Sequence, residues 1–485
     1  MDASTDADAD ALVLLVQADG PTAWADRWGR PYATALADAQ ATQQAQVVAQ
    51  DGDAPRRLIV VAADAPEGDE GWRWAAAKAA GIARSLKLET VTVAVPPEAP
   101  ASTSAAITEG FGLGVYAYTR YRTGADAPDL DWSLDAPTEH ADAIRRALTL
   151  VESTALARDL VNRSPDEKLP PEMADLVEEA AQAAGLEVDV WDRERIEAEG
   201  MGGLLGVARG SVDPPRFVVL RWTPEGADGP PVVLVGKTVV YDTGGLSLKP
   251  TKGSMDKMKA DMAGGAAVVG AMTACARLGL DVPVIALLPM SDNRPGVKAY
   301  VPGDVLRMHS GATVEVMNTD AEGRLLLADA LSYARMFEPR LVIDVATLTG
   351  AQGVALGDRV AAVIGRPDAE PLTDWVREAG DRTGDLAWPL PLYPHYREQL
   401  KSDVADLSNV GGPMAGTISA AAFLDHFTRD AGGDPSYPWL HLDIARPSFL
   451  DTPYGYRPKG ATGFGVRLLV DLLESVAAGT SPLDA

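Results

Sequence analysis

With 485 residues, 46% of them hydrophobic and 23% charged, the chain has the composition of a folded globular protein, is long enough for two domains and is unlike a disordered polymer. A formal net charge of −26 disfavours nucleic acid as a partner, because phosphate recognition needs clustered Lys and Arg. The only cysteine, Cys275, excludes an intrachain disulfide and a cysteine zinc cluster.

The opening MDASTDADADALVLLVQADG is acidic and its apolar run is short. It reads as neither a signal peptide nor a membrane anchor, so cytoplasm is the expected compartment and no membrane partner is expected. Residues 1–10 read as a disordered tail. From Arg57, the runs RLIVVAA, WRWAAAKAAGIARSL and TVTVAV alternate as strand, helix and strand, which predicts a smaller N-terminal α/β domain over 11–136. EHADAIRRALTLVESTALARDLVNRSP predicts a helix that ends at Pro165, making 137–165 a linker helix with the boundary near Pro137. Over 166–485 the apolar runs FVVLRW, PVVLV, VPVIALLPM, ATVEVMN and RLVIDVAT alternate with helical stretches such as AGGAAVVGAMTACARL and EGRLLLADALSYARMF. This pattern predicts a larger C-terminal α/β/α domain with a mostly parallel central sheet. The AGTSPLDA end reads as a second tail.

In open α/β sheets, ligands gather outside the carboxyl ends of strands, and three polar clusters fall at such ends. In VVLVGKTVVYDTGGLSLKP a strand runs into Gly236-Lys237, and Asp242, Gly244, Gly245 and Lys249 follow. GKT after a strand resembles a nucleotide P-loop, but Pro231 stands where that motif needs its first glycine, and VVY is no helix start. MDKMKADMAGG puts Asp256 and Asp261 at the front of a helix, where acidic residues also simply favour the dipole. In VEVMNTDAEGRLLLADAL a strand ends at Asn318 and a helix begins near Glu322, placing Asp320, Glu322 and Arg324 at one junction. A capped helix with a salt bridge is the plainer alternative there.

Together the clusters supply Asp242, Asp261, Asp320 and Glu322, with Lys237, Lys249 and Arg324 interleaved. Carboxylates so concentrated must repel one another or bind cations. Hard oxygen ligands can hold two divalent ions about 3.5–4 Å apart, lower the pKa of a water and polarise a carbonyl, so hydrolysis is the predicted reaction class. None of the five histidines, at 140, 309, 395, 426 and 441, forms HExxH, and His309 and His441 carry no assignment.

At NTDAEGR, residues 318–324, the sequence resembles the leucyl aminopeptidase family, also called cytosol aminopeptidases, whose signature is that heptapeptide. GK with Asp242 five residues on, DTGG with Lys249 beyond, MKADM, ATLTGA and weaker ARDLVN and HLDIA matches extend the resemblance over about residues 155–475. It implies an aminopeptidase that releases leucine and other apolar first residues from peptides with a free N-terminus, working as a homohexamer. It further implies two divalent ions per subunit, manganese or zinc, with magnesium or cobalt as alternatives. Lys237, Asp242, Asp261, Asp320 and Glu322 would be the metal ligands, with Asp242 and Glu322 bridging both ions. As a ligand Lys237 needs a neutral amine, the direction expected beside a cation. Lys249 and Arg324 would be catalytic, Lys249 stabilising the oxyanion and Arg324 holding a bicarbonate that carries a proton from water to the leaving amine. Met258, Asn318, Thr347 and Gly350 match positions that line the pocket for the first side chain.

The sequence departs from the family pattern at Thr238, Tyr241 and Thr243, in a loop between Lys249 and Asp261 one residue longer than usual, and at Arg446, which replaces the glycine after HLDIA. The first domain resembles the family's N-terminal domain loosely, through LIVVAA and TEGFGLGVYAYTRYRT. Some relatives bind DNA through that half, but residues 1–140 carry 21 acidic against 10 basic side chains, so an oligomerising or shielding role is expected instead. A catalytically silent scaffold would usually lose a ligand position, and all are present; a narrower dipeptidase stays open.

Overall fold

The computed structural model describes residues 9–16, 33–39, 41, 42, 44–49, 56–63, 67–124, 130–227 and 229–484. The tail expected over 1–10 lies almost wholly outside the described residues. The chain divides into two compact units, residues 1–155 with 451–459, and residues 156–450 with 460–485. The division therefore falls inside the helix Ala141–Asn162 rather than near Pro137, and a late segment returns to the first unit. A linear reading misses that return because its cause is a long-range contact. Tyr454 packs edge-on against Trp74 at 4.7 Å between ring centroids, and Tyr456 is buried with Ala77 and Leu113.

The first unit is built on strands β1 (Ala11–Val16), β2 (Gln46–Ala49), β3 (Arg57–Ala62), β4 (Thr90–Ala94) and β5 (Asp131–Asp135), in the order β2-β3-β1-β4-β5. All neighbours are parallel except β2, which runs against β3. The central strand ALVLLV is buried along its whole length, which is why it reads as an unbroken apolar run rather than an alternating one.

In the second unit the strands are β6 (Glu187–Trp191), β7 (Arg216–Trp222), β8 (Val232–Gly236), β9 (Thr238–Asp242) and β10 (Val284–Asn293), then the short β11 (Val305–Arg307) and β12 (Thr313–Glu315). They continue with β13 (Leu341–Ala346), β14 (Ala361–Gly365), β15 (Ala387–Leu390), β16 (Leu407–Ser408) and β17 (Trp439–Asp443), and end with the two-residue pair β18 (Phe449–Leu450) and β19 (Gly460–Ala461). Nine of them form one sheet in the order β15-β14-β17-β13-β8-β10-β7-β6, with β9 also paired to β10. Its centre, β17-β13-β8-β10 with β9, is parallel, and β14, β7 and β6 introduce antiparallel pairs toward the edges. The helix Gly323–Ala334 packs on the face carrying Val233 and Val235. Helices Ala263–Leu278 and Val466–Ala477 pack on each other, and the first of them also on β8 and β13. The architecture is the expected α/β one, with helices covering a mostly parallel sheet. Cys275 is buried in the first of those helices, and burial pushes its thiol up to about 12.

Two expectations need correction. ATVEVMN gives only β12, in a separate three-stranded sheet with β11 and β16. The reason lies in its amides: those of Met317 and Asn318 donate to the Asn409 side chain instead of to a strand. The C-terminal stretch is also no tail up to residue 484. Ser481 is buried, Pro482–Asp484 forms a 3-10 turn, and Asp484 pairs with Arg340 at 2.7 Å. Among the described residues no helix is long and apolar enough to cross a membrane.

Candidate metal centre and active site

Lys237 directly follows β8, Asp242 ends β9, Thr347 follows β13 and Asp443 ends β17, so the carboxyl ends of the parallel strands supply the polar residues. Asp261 precedes the helix starting at Ala263, sitting after a 3-10 turn, Met255–Ala260, rather than inside a first helical turn. Asp256 is exposed and takes no part. The Asp242, Asp261 and Glu322 carboxylates each offer an oxygen within 4.8 Å of the others, and all three residues are buried. Lys237 Nζ stands among them, 2.7 Å from Asp261 Oδ1, 3.0 Å from Glu322 Oε1 and 2.9 Å from the Thr347 carbonyl oxygen. Lys249 Nζ lies 2.9 Å from Asp242 Oδ2 and in contact with Asp320 Oδ1.

Glycines make this convergence possible. Gly244 and Gly245, at φ +86° and +61°, reverse the chain between Asp242 and Lys249. At Gly323 a Cβ would come within 2.3 Å of Lys237 Cε, so the lysine stem can pass only because residue 323 has no side chain.

Burial opposes the charge on Lys237, but Asp261, Glu322 and Asp242 outweigh it and raise its pKa. Lys249 is raised in the same way, burial being overcome by Asp242, Glu322 and Asp320. Burial and the Glu322 charge push Asp242 and Asp320 up, while Glu322 itself, in spite of burial, is held down by Lys237 and Lys249. The carboxylates alone thus keep Lys237 protonated, the reverse of the neutral amine that metal ligation requires; only a strong competing cation among the same oxygens would reverse it. The donor set fits such a cation. Asp261 Oδ2 is buried with no hydrogen-bond partner among the described residues, and crowded hard oxygens are what a divalent ion binds.

Arg324 Nη1 donates to the Asn409 carbonyl at 2.8 Å, and its Nε is buried without a partner among the described residues, a donor left for an anion. Burial pulls the guanidinium down to about 10 against the pull of Glu322 and Asp443, so it stays charged at neutral pH.

Several residues that sequence reasoning did not single out hold this arrangement. Asn293, at the end of β10, donates Nδ2 to Asp242 Oδ1 at 2.8 Å and to the Thr319 carbonyl at 2.9 Å. Thr319 Oγ1 donates to the Gly244 carbonyl at 2.6 Å and accepts from the Ser247 amide at 2.8 Å, stitching the two loops together. Asp443 Oδ2 accepts from Thr349 Oγ1 at 2.6 Å, fixing the loop after β13. Asn409 spans the 318–322 turn: its Oδ1 accepts from the Met317 amide at 2.8 Å, and its Nδ2 donates to the Asn318 carbonyl at 2.7 Å and the Ala321 carbonyl at 3.4 Å. The only local signal for Asn293 and Asn409 was a short polar group at or just after the end of a strand, in SDNRPG and LSNVGG. Substituting Asn409→Ala is expected to lower kcat/KM by roughly 10–100-fold while the protein stays folded, as measured by kinetics beside a thermal melt.

His441 is buried on β17 with Nδ1 2.6 Å from Asp344 Oδ1, and Trp439 Nε1 donates to Asp344 Oδ2 at 2.7 Å. It belongs to a core network under the loops and does not line the cavity.

The cluster opens into a cavity of about 270 Å³. Met258, Thr347 and Gly350 line it, as do Lys237, Asp242, Lys249, Asp261, Asp320, Glu322 and Arg324. Asn318 is not among the lining residues; its Oδ1 accepts from the Asp320 amide at 2.9 Å and closes the turn. Thr347 does more than line the wall, since its Oγ1 donates to Asp261 Oδ1 at 2.8 Å.

The model of the cytosol aminopeptidase family's catalytic domain matches residues 155–470, and that of the family's N-terminal domain matches residues 34–125. The chain belongs to the cytosol aminopeptidase family. A probable cytosol aminopeptidase of Geobacter sulfurreducens is 46% identical over 407 residues, 82% of this chain and 79% of the relative. One from Roseiflexus castenholzii is 42% identical over 433 residues, 86% of this chain and 87% of the relative. Among solved structures, the bottromycin maturation enzyme BotP, also determined in complex with Mn, is 37% identical with a TM-score of 0.84, covering 97% of this chain and 100% of its own. A mutant tomato leucine aminopeptidase is 28% identical with a TM-score of 0.86, covering 98% and 95%. As a cytosol aminopeptidase the chain is a metal-dependent hydrolase, an exopeptidase acting on peptides.

Proposed function

We propose that this aminopeptidase releases leucine and other apolar first residues, and that Lys237, Asp242, Asp261, Asp320 and Glu322 would hold the two divalent ions that it uses. The observation that supports this most is the meeting of Asp242, Asp261 and Glu322 oxygens within 4.8 Å at one buried point, with Lys249 and Arg324 beside it. When bound, the ions supply Lewis-acid polarisation of the scissile carbonyl and a nucleophilic water at neutral pH. Manganese is supported by the BotP complex; zinc, magnesium and cobalt suit the same donors according to supply and geometry.

The protein's own groups do the rest. Lys249, held charged by the surrounding carboxylates, donates a hydrogen bond to the substrate oxygen that gains charge in the transition state. Arg324, charged and with an unpartnered Nε, would hold a bicarbonate beside the reacting bond, and that anion would supply the general acid and base that no side chain here provides. Met258, Thr347 and Gly350 receive the first side chain, Met258 adapting its shape to different apolar residues. Asn318 would act on the pocket only indirectly, by fixing the turn that carries Asp320. The enzyme works as a cytoplasmic homohexamer, a reading that rests on family likeness.

The test is hydrolysis of leucine p-nitroanilide by metal-stripped protein, before and after adding back Mn or Zn, beside the N-acetylated substrate. Metal-dependent release that is lost with the blocked amine is the expected result. Folded, metal-replete protein that cleaves neither this substrate nor a panel of dipeptides would overturn the proposal.

A further inference from the structure

The cavity carries one cationic group that the proposed chemistry does not use. Arg446 lines it, three residues beyond the end of β17, beside Ala445 and Phe449. Its place is fixed by its surroundings. The Arg446 amide donates to Gln352 Oε1 at 3.0 Å, and Gln352 is itself buried and anchored through Nε2 to the Val360 carbonyl at 2.7 Å. The arginine stem lies across Gly353, where a Cβ would come within 2.3 Å of Arg446 Cγ. The residue is exposed, and among the described residues no acidic side chain is ion-paired with it. In a chain with 69 acidic against 43 basic residues, a guanidinium at the mouth of the active cavity without a carboxylate is out of the ordinary, and it is available to a ligand.

A guanidinium with a seated stem and an open fork is a carboxylate receptor. Depth decides which part of the substrate it meets. Lys237, Asp242, Asp261 and Glu322 lie buried and Asp320 half-buried, whereas Arg446 is exposed, so the bond that is cut sits inward and the rim faces the part of the substrate that extends toward solvent, which is the part that leaves. We propose that Arg446 binds a carboxylate on the leaving part of the substrate, either the C-terminal carboxylate of a dipeptide or an acidic second side chain. The inference rests on the aminopeptidase reading of the same site and names a preference within it.

The experiment compares kcat/KM of the metal-loaded enzyme on two pairs, Leu-Gly against Leu-Gly-amide and Leu-Asp-amide against Leu-Asn-amide, for wild type, Arg446→Gln and Arg446→Lys. Wild type is expected to favour the charged member of one pair by roughly fivefold, mostly through KM. The first pair identifies the terminal carboxylate and the second the acidic side chain. The preference should collapse toward unity in Arg446→Gln and be partly restored in Arg446→Lys. Because a ratio is read within each variant, a loss of folded enzyme cancels. Ratios in both pairs that are the same for wild type and Arg446→Gln overturn the proposal. Cleavage of the two uncharged amides tests the aminopeptidase reading by itself, so the two ideas fail separately.

Discussion

Glu322→Gln is expected to lower kcat/KM on leucine p-nitroanilide by on the order of 10³-fold without unfolding the protein. The side chain sits at the start of the helix Gly323–Ala334 but makes no capping bond, so its charge is not needed to begin that helix. Glutamine fills nearly the same volume. What disappears is the carboxylate of the cluster that Lys237 and Lys249 hold below its ordinary pKa, and with it an anionic group proposed to hold the ions. Because Lys237 and Lys249 favour the ionised form of Glu322, neutralising it gives up part of that stabilisation, so the melting temperature should fall by a few degrees while the protein stays folded. Kinetics, a thermal melt and metal content on the same preparation check all three. A variant that keeps more than about a tenth of the activity would show that Glu322 does not carry the role proposed for it.

Lys249→Met should cost about 10²–10³-fold in kcat with little change in KM, the pattern of an interaction made in the transition state and not in the ground state. Lys249 is largely buried, its Nζ 2.9 Å from Asp242 Oδ2, so methionine can keep the packing of the stem while losing the donor. Here the metal readout should move the other way from Glu322→Gln. Taking a cation away from Asp242 and Asp320 leaves their charge less compensated, and divalent ions should be retained at least as well as in the wild type. Lost metal with intact kcat per bound ion would make Lys249 a counter-ion only.

The parts of the molecule legible in the sequence share a physical cause. Strands β8, β10 and β13 are buried throughout, so they appear as mostly apolar runs broken only by Asp344 and by the polar end of β10, and the residues at their carboxyl ends become visible by contrast. Lys237, Asp242, Asp320 and Glu322 lie in two short segments and could be read together. Asn293, Asn409 and Asp443 could not, because the groups each of them holds lie tens of residues away. The misplaced strand around 313–318 has the same origin. Its composition suits a sheet, but the Asn409 amide group claims its backbone, and no pattern local to those residues announces that.

Asn409 grips the turn at residues 317, 318 and 321, on both sides of Asp320 and directly before Glu322. Those two carboxylates are therefore mounted on one stiff plate rather than on two independent arms. An ion that draws Glu322 into place would set Asp320 as well, so filling one position would prepare the other, and the preparation must be mutual. Loading of the paired site would then be cooperative, rising steeply over a narrow range of metal concentration, with one asparagine far along the chain as the mechanical origin of that steepness.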